Sequence, residues 1–450
     1  MNTVYAGKQL LKYLERKRGG KIDPKTFFDK EFWPIMFNAP DQQHLMQVHN
    51  SDFFQGSYKK SAGKEGIALP LFRKSKFETS IKEVAGGKKN VSAGIGVGFM
   101  AGGPAETTFG QVTDLPLNFT EEELLCSWFG GALGIGFGGG YDFLTLEPEI
   151  FEFIYQGWPF YRELIKDTPR LKGKQIQAWN GLWLCYGLKY RDNPKEAYRK
   201  VKQHINAHIK TTSGVAKLDR PDWSKQVLNI ASEFGGAEGL VLQGYSHGST
   251  NKTLGSVMVQ LPKVRSFAAL FKQLVEQDDT LPNKALQDVF KEEFTMSKAA
   301  KFGQLGLRAL TPAKLTKLLY EDETSKTKLP KDPYQYIIYK SWIIAMLNND
   351  ELYELATKLA LDLLKFKEKG KDKFSTEADK KKHIETLFSM KKNARFIDQL
   401  SEIASEMDQT PEHFREASKA AATQMTPEQF YLFISLLRFE YVYHLDQTES

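Results

Sequence analysis

The sequence predicts an α+β chain, with a mixed N-terminal part of short strands and a glycine-rich segment followed by an all-α helical bundle at the C-terminal end. Three observations predict it. After Pro262 the chain reads as successive amphipathic segments, and Thr311-Pro312, Thr410-Pro411-Glu412 and Thr426-Pro427-Glu428 each place Thr at an N-cap and Pro at the first helical position. Between Ala93 and Tyr141 glycines crowd among apolar residues and no Lys or Arg occurs. Around that block the charge alternates: residues 1–90 carry +8, 91–150 carry −8, 151–230 carry +8 and 231–450 carry −1. Two domains follow, a basic α+β domain over 1–262 with the glycine-rich insert at 93–141, and a helical bundle over 263–450.

In chain order, residues 5 to 18 form an amphipathic helix with Leu10, Leu11 and Leu14 on one side, stopped by Gly19-Gly20. A short helix covers Pro24 to Phe32, and Gln42 to Tyr58 reads as a loop that presents Asn50, Ser51 and Asp52. Gly94, Gly96 and Gly98 alternate with Ile95, Val97 and Phe99 at strand period. Thr120 and Glu123 have the spacing of a capping box, which starts a helix through Leu124, Leu125, Trp128 and Phe129, and Gly130 to Gly140 reads as a glycine-dominated turn. Residues 147 to 212 are helical in pattern, interrupted at Trp158-Pro159, with Trp179 and Trp183 one turn apart as core residues. Gly239 to Gln243 and Ser256 to Leu261 are two strands joined by a polar loop. Helices then cover 264–277, 283–302, 312–320, 333–346, 350–368, 376–391, 394–407, 411–424 and 427–444; the last is apolar on nearly all sides, hence central or covered.

Composition excludes several classes. The chain has 450 residues and ordinary hydrophobic content, enough for a buried core. Its two cysteines, Cys126 and Cys185, stand alone, and no signal-peptide pattern opens the chain, so the expectation is a reduced, cytoplasmic protein without structural zinc. Leu124 to Tyr141 is uncharged over most of its length, but its acidic flanks and glycines speak against a membrane span. Gly134, Gly136 and Gly139 match GxGxxG with a helix before them rather than a strand, which is the wrong context for a dinucleotide; no P-loop motif occurs. His204 and His208 share the i, i+4 spacing of zinc ligands without a Glu beside them or a third ligand, and Ser246-His247 misses the nucleophile-elbow pattern by one position. No catalytic residue, metal site or cofactor is expected.

The positive signal is the pair of basic arms. In the first, Lys59, Lys60, Arg73, Lys74, Lys88 and Lys89 are interleaved with Phe72 and Phe77, and Asn50 and Ser51 precede them. In the second, Lys172, Lys174, Arg199 and Lys202 stand among Trp and Tyr residues. Basic residues interleaved with aromatics suit phosphate contacts and base stacking, and Asn suits base edges. A solvated surface or a lysine-bearing strand edge has the same composition. The competing class is an enzyme for a nucleotide-like or other anionic small molecule, with the glycines as phosphate cradle and Arg162 or Arg191 as clamp.

The Asn-Ser loop followed by Phe and Tyr-Lys (Asn50, Ser51, Phe53, Tyr58, Lys59), the basic N-terminal part and the C-terminal bundle together resemble the large subunit of type I CRISPR interference (Cascade) complexes, with subtype I-B as the nearest likeness. The resemblance is architectural over most of the chain and motif-like only around Asn50. It implies a non-catalytic subunit that contacts guide RNA and a double-stranded DNA target and recognises the protospacer-adjacent motif. It also implies assembly with other Cascade subunits and recruitment of the helicase-nuclease, with no membrane partner. Several members of that family carry CxxC zinc pairs, which this chain lacks, so the local fold of the glycine-rich segment is not inherited from them.

Overall fold

The computed structural model of the chain describes residues 2–38, 44–46, 69–92, 94–99, 118–138, 141–145, 147–221, 223–234, 241–246, 257–260, 265, 333–347, 349–368 and 376–448. The described protein is mostly helical and carries two small antiparallel sheets. Its contacts divide it into two compact units, Met1–Leu261 and Pro262–Ser450.

In the first unit, α1 (Asn2–Arg18) packs lengthwise on α5 (Glu121–Ala132). Two glycines permit the approach. A Cβ on Gly7 would fall on the Cys126 carbonyl and one on Gly130 on the Thr3 carbonyl, so each helix presents bare backbone where the other comes closest. The expected capping box starts α5: Thr120 Oγ1 accepts from the Glu123 amide at 3.2 Å while the Glu123 carboxylate accepts from the Thr120 amide. Buried Asn180 closes the other end, its Nδ2 donating to the carbonyls of Ala132 (2.7 Å) and Gly134 (2.8 Å). That donation satisfies one acceptor that the helix end leaves open and one just beyond it.

Several sequence expectations are corrected here. The alternation from Gly94 to Phe99 is a run of turns, not a strand: Ile95 and Gly96 both donate to the Ser92 carbonyl, and Gly98 has φ +79. The backbone polar groups of these turns are taken by α5, with Trp128 Nε1 donating to the Ile95 carbonyl and Ser127 Oγ accepting from the Val97 amide. The stretch from Gly130 to Gly140 is no simple turn, since it continues α5 and then forms β1 (Ile135–Phe137), which pairs with β2 (Tyr141–Leu144). Residues 64 to 89 do not form a strand edge where they are described, because Leu69–Ala85 is a helix, α4. Helix α6 (Pro148–Asp167) runs through Trp158-Pro159 without interruption, held by the buried residues Ile154, Trp158 and Tyr161 on either side of the proline.

The helix expected near Phe32 extends further, as α2 (Pro24–Phe27), a π-helical turn over Phe28–Phe32 and α3 (Trp33–Met36). After α6 come α7 (Ile176–Gly187) and α8 (Pro194–Ile205). Helix does not persist to residue 212: β3 (Ile209–Thr212) and β4 (Val215–Leu218) form a hairpin whose turn has positive φ at Ser213 and Gly214. Helix α9 (Trp223–Phe234) precedes the expected pair of strands, β5 (Val241–Ser246) and β6 (Val257–Gln260). These join β1 and β2 in a four-stranded antiparallel sheet ordered β1-β2-β5-β6. The core is aromatic: Trp128, Trp158, Trp179 and Trp183 are fully buried, the last two as expected.

In the second unit every described element is a helix: α10 (Pro333–Leu347), α11 (Asp350–Glu368), α12 (Glu377–Phe388), α13 (Asn393–Ser405), α14 (Glu412–Thr423) and α15 (Pro427–Thr448). Helix α15 is central, in contact with α10, α11 and α12, and buries Phe430, Phe433, Leu436, Leu437 and Phe439. Thr426 caps it reciprocally with Gln429. Thr410 does not cap α14: Pro411 is the N-cap, without a side-chain bond, and Thr410 Oγ1 donates to the Ala404 carbonyl. The helices expected at 264–277, 283–302 and 312–320 lie outside the described residues.

Candidate nucleic-acid interface

Of the twelve residues proposed from sequence, Asn50, Ser51, Lys59 and Lys60 lie outside the described residues. The other eight sort by what faces them. Lys74, on α4, sits 2.8 Å from Asp29, with Glu78 at 3.8 Å. Arg199 forms two bonds to Glu196, at 2.7 and 2.5 Å, and Lys202 lies 2.9 Å from Asp167. These three cations have carboxylate partners within the chain, and all three pairs are solvent-accessible and weak. Lys88 and Lys89 follow the end of α4, Lys88 exposed and Lys89 half-buried. Lys172 is exposed and its backbone joins β4 through the Ala216 carbonyl.

Arg73 and Lys174 are different, because both are set against the same short segment. This segment, His44–Met46, is stitched in by backbone bonds: the Leu45 amide donates to the Met36 carbonyl (3.0 Å), the Lys174 amide to the His44 carbonyl (2.5 Å) and the Ile176 amide to the Leu45 carbonyl (3.0 Å). His44 is buried, its ring 5.7 Å from that of Phe37. Arg73 Nη1 stands 2.7 Å from His44 Nε2. A guanidinium only donates, so Nε2 accepts and the imidazole is neutral with its proton on Nδ1. Burial pushes His44 down to about 3, and the charges of Arg73, Lys174 and Arg162 push the same way.

Arg162, on α6, is held by its Nε donating to the Ile35 carbonyl at 2.6 Å. The first basic arm thus supplies Arg73 to the His44 ring, the second bonds the His44 carbonyl through the Lys174 amide, and Arg162, the clamp of the competing reading, adds its charge to the same surroundings; sequence reasoning passed over His44. His44 carried no signal of its own, being one neutral residue within a loop. Lys174 adds a local oddity: its φ of +62 is rare for a residue with a Cβ.

The competing clamp and cradle fare differently. Arg191 faces Glu233 at 2.8 Å and lies over the Phe234 ring, so its charge is neutralised. The described glycines of the would-be cradle are filled by protein: a Cβ on Gly131 would strike Val97, and one on Gly136 would lie 2.8 Å from the Gln177 carbonyl oxygen. His204 stacks on Tyr186 at 4.5 Å and His208 Nε2 lies 2.7 Å from the Tyr186 hydroxyl, while no group of three metal-ligating side chains occurs among the described residues. No described helix is long and apolar enough to cross a membrane. Cys126 is buried, which pushes its thiol up to about 12. Comparison with family models, curated proteins and solved structures yields no match to this chain.

Proposed function

We propose that this chain is a non-catalytic nucleic-acid-binding protein, a subunit of an RNA-guided surveillance complex that contacts guide RNA and target DNA. In this reading residues 1–262 form the α+β domain that meets nucleic acid and 263–450 a helical bundle for partner subunits and the helicase-nuclease. The observation that carries it is the meeting of the two basic stretches at His44–Met46, where Arg73 reaches the His44 ring and the Lys174 amide bonds the His44 carbonyl. Chains that bind a polyanion concentrate charge in this way, because each phosphate contact releases counterions. The sequence resemblance to Cascade large subunits supplies the biological setting.

The test is fluorescence anisotropy of labelled single- and double-stranded DNA and RNA over a salt series. Binding with a log–log salt slope of several is expected, together with an elevated ratio of absorbance at 260 to 280 nm after native purification. A protein that purifies free of nucleic acid and shows no salt-dependent binding would end this reading.

A further inference from the structure

The hairpin of β3 and β4 is extended on the β4 side by the chain that leads into α7. Leu171 lies beside Ala216 in parallel, the Lys172 amide donating to the Ala216 carbonyl (2.9 Å) and the Ala216 amide to the Arg170 carbonyl (3.1 Å). The Gln175 side chain continues that edge: its Nε2 donates to the Leu218 carbonyl (3.3 Å) and its Oε1 accepts from the Leu218 amide (3.0 Å). Leu171, Ala216 and Leu218 are buried. Side chains alternate along a strand, so Lys172 and Lys217 take the opposite face, and Lys210, the register partner of Lys217, lies there with them. All three are exposed. Exposed Arg170 joins them at the turn, where a Cβ on Gly214 would lie 3.8 Å from its Nη1. Lys210 is answered by Asp219 at 2.5 Å, whereas Arg170, Lys172 and Lys217 form no ion pair with a carboxylate among the described residues. Like charges directly opposite one another weaken a ladder, so this face carries its lysines at a cost in stability.

Resting on the nucleic-acid reading above, we propose that the outer face of this hairpin, with Arg170, Lys172, Lys217 and Lys210, is a docking surface for the sugar–phosphate backbone of a nucleic acid. Neighbouring strands lie about 4.8 Å apart and lysine stems are long and flexible, so the ammonium heads can follow successive phosphates. The exposed hydroxyls of Thr212 and Ser213 stand at the same turn as Arg170 and are the neutral donors that phosphate oxygens also accept from. No aromatic residue occurs in 170–172 or 209–218, so the face has nothing on which to stack a base and holds backbone without reading sequence. It has no exposed large apolar side chain to enter a lipid interface either.

The test is anisotropy of labelled DNA and RNA of one length, titrated with the full-length chain over a salt series. Lys172→Gln combined with Lys217→Gln is expected to weaken binding about tenfold or more and to lower the log–log salt slope by about two, alike on unrelated sequences. Lys217→Glu is expected to weaken binding at least as much as Lys217→Gln while its melting temperature equals or exceeds the parent's, because it sets a carboxylate opposite Lys210; a lysine with a structural role would lower it. Lys358→Gln, which removes an exposed cation paired with Glu354 in the second unit, is expected to bind like the parent. Parent-like affinity and slope in the hairpin variants, with the parent binding nucleic acid, overturns the surface and leaves the nucleic-acid reading standing. No binding of either nucleic acid by the parent removes both. Binding to phosphatidylserine vesicles that the hairpin variants lose, without binding to nucleic acid, would assign the face to lipid and overturn the proposal.

Discussion

Arg73 in the first unit and Lys340 in the second are both cations partly withdrawn from water, and they are compensated in opposite ways. Lys340, 16% exposed, reaches the fully buried Glu440 at 3.1 Å and lies over the Tyr353 ring. Burial opposes its charge, but Glu440 and Tyr353 together outweigh it, and Lys340 titrates above its ordinary value. Arg73 has a neutral ring instead of a carboxylate, and its guanidinium is held below the usual range. The first arrangement closes on itself and ties α10 to α15. The second has no opposite charge among the described residues on which to close.

Breaking the closed pair should have the largest effect on stability. Lys340→Met strands Glu440 in the core and is expected to cost the second unit about 3–5 kcal/mol, read as a drop in its chemical-denaturation midpoint. A loss below about 1 kcal/mol would mean that His444, 3.6 Å from Glu440, already suffices as partner. In the first unit, Gly130→Ala drives a methyl into the Thr3 carbonyl and is expected to destabilise by about 3 kcal/mol through separation of α1 from α5. Removing an open cation should do the opposite of both. Arg73→Gln is expected to leave the melting temperature nearly unchanged while lowering the salt slope of DNA binding by about one. An unfolded Arg73→Gln would show that the two cations are alike after all.

Acid gives a milder discrimination. Asp29 lies beside Lys25 and Lys74, and Glu31 accepts two bonds from Arg18; these partners hold both carboxyls below their ordinary values, against the opposing effect of burial. Their stabilisation is therefore complete above the unfolded carboxylate range near pH 4 and is lost as pH falls through the lower folded values. The melting temperature of the first unit should decline below about pH 4, and a flat profile there would remove these pairs from the account. Lys59→Ala with Lys60→Ala should have the smallest structural effect, weakening DNA binding on all sequences alike.

Local features were legible in the sequence where a short-range rule controls them. The Thr120–Glu123 box, the bounds of α11 and the burial of Trp179 and Trp183 need only capping chemistry and helical period. Long-range pairing was not legible: β2 finds β5 about a hundred residues away, and no local pattern names that partner. Pro159 read as a break because propensity is local, whereas packing around Trp158 and Tyr161 is not. In the candidate site, residue type was legible and pairing was not. Arg73 and Lys74 are equivalent in composition, yet successive helical residues point about 100° apart, which turns one toward Asp29 and the other toward His44.

The glycine-mediated seam between α1 and α5 also has a consequence in time. Lys8 and Glu123, which bridge it, are 115 residues apart. At a synthesis rate of roughly 5–20 residues per second, α1 waits about 6–23 seconds for its partner to be made. During that interval α1, with its buried Leu10, Leu11 and Leu14, lacks the helix it packs against most. The nascent chain therefore carries an amphipathic helix in need of shelter, and a chaperone that binds such helices is expected to be most engaged before residue 132 has emerged.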